Sequence, residues 1–427
     1  MKHLLLAVAL CVFGTNLVAN PADSLKPLTT PSTASSTTSS TTTSATPSTT
    51  PSAPAAEKKW YDNISLRGYT QFRYNRLLET NPSLGCEQCD RSWGDNGGFF
   101  FRRVRVILFG QIHKNVYLYL QPDLASTAAT DRNNFAQIRD AYIDVGVDES
   151  NEFRFRIGQS KMPFGFENLQ SSQNRAPLDR VDALNSGLPN ERETGVVFYW
   201  APKATRAMFS NLVRSGLKGS GDYGVLGLGV YNGQVVNTNE ANDQLHWVAR
   251  LSYPMEIGDQ IVEAGVQKYK GMFVLTKANL STGVKYKSDL QYLDERTAAS
   301  FILYPKPFGL QAEYNVGKGP EFNPVTDSIE TRSLRGGYLM ALYQFSYDHN
   351  NFTAFVRAQT YDGGKKAEKD ARSYSVRELE IGLEWQPVPA FELVAMYTMS
   401  SRRYEDFALQ SNTQKGNLLR LQAQVNY

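Results

Sequence analysis

From Ile64 to the C-terminus the chain alternates. Ile64, Leu66, Gly68, Thr70, Phe72 and Tyr74 fall on one face of an extended segment, and Ser65, Arg67, Tyr69, Gln71, Arg73 and Asn75 on the other, because successive strand side chains point to opposite sides. The period of two recurs along the chain. Ala141, Ile143 and Val145 oppose Asp140, Tyr142 and Asp144; Phe153, Phe155 and Ile157 oppose Arg154 and Arg156. Leu379, Ile381, Leu383 and Trp385 oppose Glu378, Glu380 and Glu384. A second face this rich in charge fits a wet lumen better than a dry core. Turn chemistry separates the runs, as at Ile257-Gly258-Asp259 and Asp362-Gly363-Gly364-Lys365. No helix of convincing length is expected after the leader.

The final run is a strong topological signal. Leu419, Leu421, Ala423, Val425 and Tyr427 alternate with Arg420, Gln422, Gln424 and Asn426. As the edge of a soluble sheet it would invite aggregation; closure into a barrel removes the edge. At roughly 20 to 25 residues per strand and loop, the chain after Trp60 supplies about 16 strands, the size that leaves an aqueous channel. The expected fold is therefore all-β: a transmembrane antiparallel barrel over residues 60–427, with an inward-folded constriction loop. Trp60, Tyr61, Trp200, Tyr253, Tyr269, Tyr304, Tyr347, Trp385 and Tyr404 suit interfacial girdles.

The N-terminus changes the compartment. Lys2 and His3 precede an apolar Leu4 to Phe13 run, and Leu17-Val18-Ala19 ends on a small residue, the form of a cleaved secretory signal. Residues 20–59 are Ser-, Thr-, Pro- and Ala-rich and read as a disordered tether. Cys86 and Cys89 remain in the exported chain, and a local disulfide is the expected state. The net charge of +3 gives no reason to expect a nucleic-acid partner, and mean hydropathy of −0.40 excludes a helical membrane bundle. No catalytic triad, HExxH or Gly-rich phosphate loop marks an enzyme, and neither cofactor nor metal is expected.

Candidate chemistry concentrates between Phe99 and Glu191. Arg102, Arg103 and Arg105 sit on one run with Val104 and Val106. Arg102 and Arg103 would lie on opposite faces of a regular strand, so both face inward only across a bulge or at an irregular strand start. Asp140 follows in Arg139-Asp140-Ala141-Tyr142, and Lys161-Met162-Pro163-Phe164-Gly165 opens a polar stretch reaching Glu191. A loop this long is commonly functional and can fold into a barrel. Ser171, Ser172 and Arg180 on it would then face the arginines of the second strand across a constriction. Desolvated guanidiniums beside hydroxyl donors make an oxyanion site. Tyr117 and Tyr119 read as interfacial or subunit-packing residues, with a stacking slide for sugars as the alternative. Arg402 is placed near a loop, outside the constriction.

The Phe101-Arg102-Arg103, Asp140-Ala141-Tyr142 and Gly158-to-Gly165 segments, in this order, resemble the phosphate-selective porin O and P family. The resemblance implies a 16-stranded outer-membrane barrel of a Gram-negative bacterium, a homotrimer set in outer-membrane lipid. It implies diffusion of small anions, such as phosphate, other oxyanions or chloride. It assigns Arg102 and Arg103 to anion contact, Asp140 to the flank of that contact, and Ser171, Ser172 and Arg180 to the inward loop. Three positions depart from the family pattern. Asn168 stands where phosphate-specific members carry a lysine, Tyr69 where they carry an arginine, and Arg105 replaces an aromatic residue. These changes favour general anion passage over strict phosphate selection. The competing reading is an outer-membrane binding or structural barrel whose lumen is narrow or plugged.

Overall fold

The computed structural model describes residues 59–86, 88–89, 93–94, 97–125 and 135–427. The expected leader, and the expected tether up to residue 58, lie outside the described residues. Sixteen strands follow: β1 (Ile64–Leu77), β2 (Phe100–His113), β3 (Val116–Asp123), β4 (Gln137–Gly146), β5 (Phe153–Lys161), β6 (Arg192–Trp200), β7 (Leu226–Tyr231) and β8 (His246–Ile257) form one half. β9 (Gln260–Val274), β10 (Gln291–Leu303), β11 (Phe308–Asn323), β12 (Ser328–Tyr347), β13 (Asn350–Gly364), β14 (Ser373–Val388), β15 (Phe391–Glu405) and β16 (Thr413–Asn426) form the other. Each pairs antiparallel with its neighbours in sequence, and β1 closes on β16 through pairs from Tyr69–Asn426 to Tyr74–Leu421. No helix among the described residues is long and apolar enough to cross a membrane; the strands supply the wall.

The alternation sets the two faces of that wall. On β1, Tyr69, Gln71, Arg73 and Asn75 are buried in the barrel while Leu66 is 68% exposed outside. On β14, Glu378, Glu380 and Glu384 are buried, and Leu379, Ile381 and Leu383 face out. The wall is uneven in height. β3 has eight residues and β7 six, against twenty in β12. Short turns gather at one end, as between Tyr347 and Asn350, where Asp348 and His349 both take positive φ, the backbone of a tight two-residue hairpin.

A bulge resolves the Arg102–Arg103 conflict. Gln71 pairs with Arg103 and Phe72 with Phe101, so Arg102 has no cross-strand partner. The extra residue swings both guanidiniums inward: Arg102 approaches Asp179 at 3.8 Å, and Arg103 donates to Gln71 Oε1 at 2.7 Å.

Two connections enter the lumen. Loop L3, residues 162–191, carries the one-turn helices α1 (Phe166–Leu169) and α2 (Asp182–Asn185). Its Met162, Phe164, Val181, Leu184 and Leu188 pack on Tyr269, Tyr338, Met340, Val376 and Met396 of the far wall. Each such burial contributes about 1.5–3 kcal/mol. The second connection, 201–225, joins β6 to β7 at the short-turn end and contains helix α3 (Lys203–Arg214). Leu212 and Leu217 pack on Phe166, Ile261, Ile302 and Tyr304. Beyond α3, Gln344 on β12 donates to Gly216 O at 2.9 Å, and Lys218 Nζ donates to both Glu384 carboxylate oxygens on β14 at 2.6 and 2.7 Å. This connection therefore reaches from β6 to the opposite wall.

Two expectations fail here. α3 is a three-turn helix where none was expected; its buried Thr205, Phe209 and Leu212 follow helical spacing, with Pro202 at the N-cap. Tyr269 and Tyr304 belong to no girdle. Both are fully buried, and their hydroxyls donate to Asp294 at 2.9 Å and Glu263 at 2.6 Å. Buried phenols take such internal acceptors. Trp60, Tyr61, Tyr253 and Tyr347 are exposed, as a girdle requires.

Candidate anion passage

Arg105 on β2 organises the near wall. Its Nε donates to Asp123 Oδ2 at 2.8 Å, and its Nη1 donates to Tyr69 Oη at 2.7 Å and Ser172 Oγ at 3.3 Å. Tyr69 and Ser172 share a further hydrogen bond of 2.6 Å, and Gln71 Nε2 donates to Ser172 O at 3.0 Å. Ser172 thus meets a second-strand arginine, and Tyr69 stands in the same cluster.

Arg180 does not face the second strand, contrary to expectation. It pairs with Glu191 at 3.2 Å, donates to Asn168 Oδ1 at 2.9 Å, and bonds Asn185. Carboxylate and amide acceptors on its own loop hold its guanidinium away from β2. Burial lowers the Arg180 pKa to about 10 against the opposing pull of Glu191. Asp140 is bound by Arg192, whose Nε and Nη2 both donate to Oδ2 at 3.0 and 2.9 Å, and not by the paired arginines. Ser171 lines a cavity described below.

The space near Arg102 is occupied by the protein itself. Asp179 of L3 pairs with Arg73 of β1 at 3.0 Å, with Arg102 at 3.8 Å, and with Arg420 of β16. Burial raises the Asp179 carboxyl, but Arg73, Arg420 and Arg102 outweigh it and hold it well below the ordinary carboxylate range. Arg402 is equally central. It is fully buried and grips Asp182 of L3 through Nη1 and Nη2 at 3.1 and 3.0 Å; its placement outside the constriction is wrong.

Several cations escaped the sequence reading. Glu191 draws in Arg192 at 3.1 Å and Arg139 at 3.8 Å besides Arg180. Lys161 Nζ donates to the Leu169 and Gln170 carbonyls at 3.1 and 2.6 Å. Arg175 of L3 is 4% exposed, and its Nε and Nη1 have no hydrogen-bond partner among the described residues. Arg73 and Arg420 were on faces already assigned inward. Arg175 gave no signal, since an irregular loop has no period to aim its side chains.

A cavity of about 690 Å³ lies between L3 and the near wall. Ser171, Gln173 and Asn174 border it from L3, Lys161, Arg192 and Asp140 from the strand tops, and Arg154, Arg156 and Arg67 further along. Tyr117 and Tyr119 also line it, so they face the lumen and are not interfacial or subunit-packing residues. A second cavity, of about 650 Å³, shares Gln173, Asn174, Val213 and Arg214 with the first and continues towards Glu384 and Glu392. Near the loop end, Cys86 and Cys89 form the expected disulfide. It packs with Leu84, Trp93 and Leu418, and Trp93 lies under Arg402 and Arg420 at 5.3 and 5.1 Å.

A closed barrel with apolar residues outside, charges inside and a loop folded into its lumen is the build of an outer-membrane porin. The chain belongs to the phosphate-selective porin O and P family, whose profile matches residues 85–427. Its fold is similar to that of the outer-membrane channel DcaP of Acinetobacter baumannii, with a TM-score of 0.54 and 16% identity over 87% of this chain and all of that one. It is also similar to Salmonella typhi OmpF in complex with daunomycin, with a TM-score of 0.51 and 14% identity over 86% of this chain and 98% of that one. No curated protein matches in sequence. The protein is a Gram-negative outer-membrane porin, and family and fold indicate a channel rather than an enzyme.

Proposed function

We propose that this porin passes small anions by diffusion, and that L3 narrows its lumen to a passage lined by guanidinium and ammonium groups. The observation that carries the reading is the cationic excess where L3 meets β4, β5 and β6. Arg139, Lys161, Arg175, Arg180 and Arg192 gather around Glu191 and Asp140, while the neighbouring carboxylates Glu167 and Asp179 are already paired with Arg357 and with Arg73 and Arg420. Arg175 keeps N–H groups unpartnered among the described residues. Its charge, close behind the passage wall, adds to the attraction for anions. Arg102, Arg103 and Arg105 surround this passage as a supporting shell held by Asp179, Gln71 and Asp123.

Selection for phosphate over other anions finds little support. Asn168, at the position of the family lysine, is fully buried and donates to Phe164 O at 3.0 Å and Leu184 O at 3.3 Å. It braces the loop. We assign phosphate, related oxyanions and chloride to one weakly discriminating route. We further propose a homotrimer. β3 and β7, with eight and six residues, fall short of the roughly 9–11 residues that a tilted strand needs to cross the membrane, so the low side of the wall suits a subunit contact.

Planar-bilayer recording tests the proposal. In a potassium chloride gradient the reversal potential should favour chloride, and millimolar phosphate should block the chloride current only weakly. Cation preference or absent conductance would overturn the anion passage; strong phosphate block would restore phosphate selection.

A further inference from the structure

One strip of the lumen wall is built for more than charge. Phe109 on β2 pairs with Tyr119 on β3, and Tyr119 pairs with Tyr142 on β4. Three aromatic residues thus stand side by side across adjacent strands, all lining the 690 Å³ cavity. Tyr119 and Tyr142 are stacked, with ring centroids 5.0 Å apart and planes 13° from parallel. An arginine closes each end of the strip. Arg67 lies 5.1 Å over Phe109, and Arg156 lies 4.0 Å over Tyr142.

The two ends differ in charge. Arg156 is neutralised by Asp144, which accepts from its Nε and Nη2 at 2.7 and 2.8 Å. Arg67 is solvent-exposed and has no carboxylate partner among the described residues. The strip therefore offers a free cation at one end and half-buried ring surface leading away from it. Inorganic phosphate or chloride has no use for that ring surface. A flat ring bearing a carboxylate matches both parts: the carboxylate pairs with Arg67 and the ring lies on the Phe109–Tyr119 surface. Aromatic faces attract rings in offset-stacked or edge-on arrangements beyond the area they bury, and guanidiniums add attraction for π-faces.

We propose that this strip is a binding site for aromatic carboxylates in transit, a substrate class that the arginine passage alone does not select. The inference rests on the anion-porin reading and deepens it.

Two probes of equal charge separate the effects: benzoate, and cyclohexanecarboxylate, which has a similar size and no π-system. In bilayers, benzoate should half-block the chloride current at a concentration about three- to tenfold lower, the range that an aromatic contact adds beyond burial. Tyr119→Leu should abolish the difference, and Arg67→Gln should weaken both probes alike. Saturation-transfer NMR on detergent-solubilised protein should show the benzoate ring protons in contact, with no requirement for conduction. Equal half-block of the unaltered protein by the two probes overturns the site, as does discrimination that survives Tyr119→Leu. The potassium chloride reversal potential of the same channels reports separately on the porin reading. Chloride preference without probe discrimination leaves that reading standing and removes the strip.

Discussion

Asp179 on loop L3 accepts a hydrogen bond from Arg420 on the last strand, 241 residues away in sequence, and another from Arg73 on the first at 3.0 Å. The loop is thereby fastened across the seam where β1 and β16 close the barrel. Asp179→Asn leaves Arg73, Arg420 and Arg102 around a neutral amide. Removing one partner of a buried pair costs about 3–5 kcal/mol. The variant should lose its folded, heat-resistant gel mobility at a lower temperature than the parent. An unchanged transition would mean that the apolar face of L3 holds the loop alone.

Arg175 is expected to matter more to selectivity than to stability. Its Nε and Nη1 have no partner to lose among the described residues, so Arg175→Ala removes charge without orphaning a carboxylate. A unit charge about 4 Å from a permeating ion in water is worth about 1 kcal/mol, or roughly a fivefold fall in the chloride-to-potassium permeability ratio. Arg377→Ala serves as a control, since Arg377 pairs with Asp362 at a site where its side chain is 54% exposed. Equal changes in the two variants would remove Arg175 from the passage.

The docking of L3 should resist acid to an unusually low pH. Burial raises the Asp182 carboxyl, but Arg402 and Lys365 outweigh it and bring its pKa to about 2, from an ordinary 3.8. A carboxyl depressed on folding stabilises the folded state fully above its unfolded pKa. That contribution is lost as pH falls through the folded value. Channel conductance should therefore hold steady from neutral pH to about 4 and change only as pH approaches about 2. A transition near pH 5 would show that other carboxylates control the loop.

The wall was legible in the sequence because one rule governs it. A period of two puts Arg73, Arg420 and Glu380 inside and Leu66, Ile381 and Val425 outside, and the structure agrees at each. The same rule applied strictly would have moved Tyr269 inside with Gln267. The bulge at Arg102 was legible because two adjacent arginines could not otherwise both turn inward. The loops were less legible. The length of L3 and its inward course follow from its place between two strands, but the partners of Arg180 depend on where Glu191, Asn168 and Asn185 come to rest. Those positions are set by packing across the lumen, which carries no local pattern. α3 follows a different rule, since Thr205, Phe209 and Leu212 keep the helical period and not the period of two that marks the wall.

The connection at the short-turn end should act as a second restriction. Lys218 is buried with both Glu384 oxygens on its Nζ, and this pair ties residues 201–225 to the wall opposite their origin. Lys218→Gln leaves Glu384 buried beside a neutral side chain, at a cost of about 3–5 kcal/mol, and so frees the segment from its far anchor. Single-channel conductance should rise and current noise increase, while Lys203→Gln at the exposed start of α3 should leave both unchanged. The variant also loses a positive charge, so conductance alone does not separate release from electrostatics. Combining Lys218→Glu with Glu384→Lys separates them, because it restores the pair and conserves net charge. Recovery of the parent conductance in the double variant identifies the anchor as the cause. Conductance that stays high in the double variant would mean that the anchor does not control the outlet and that this connection is no restriction.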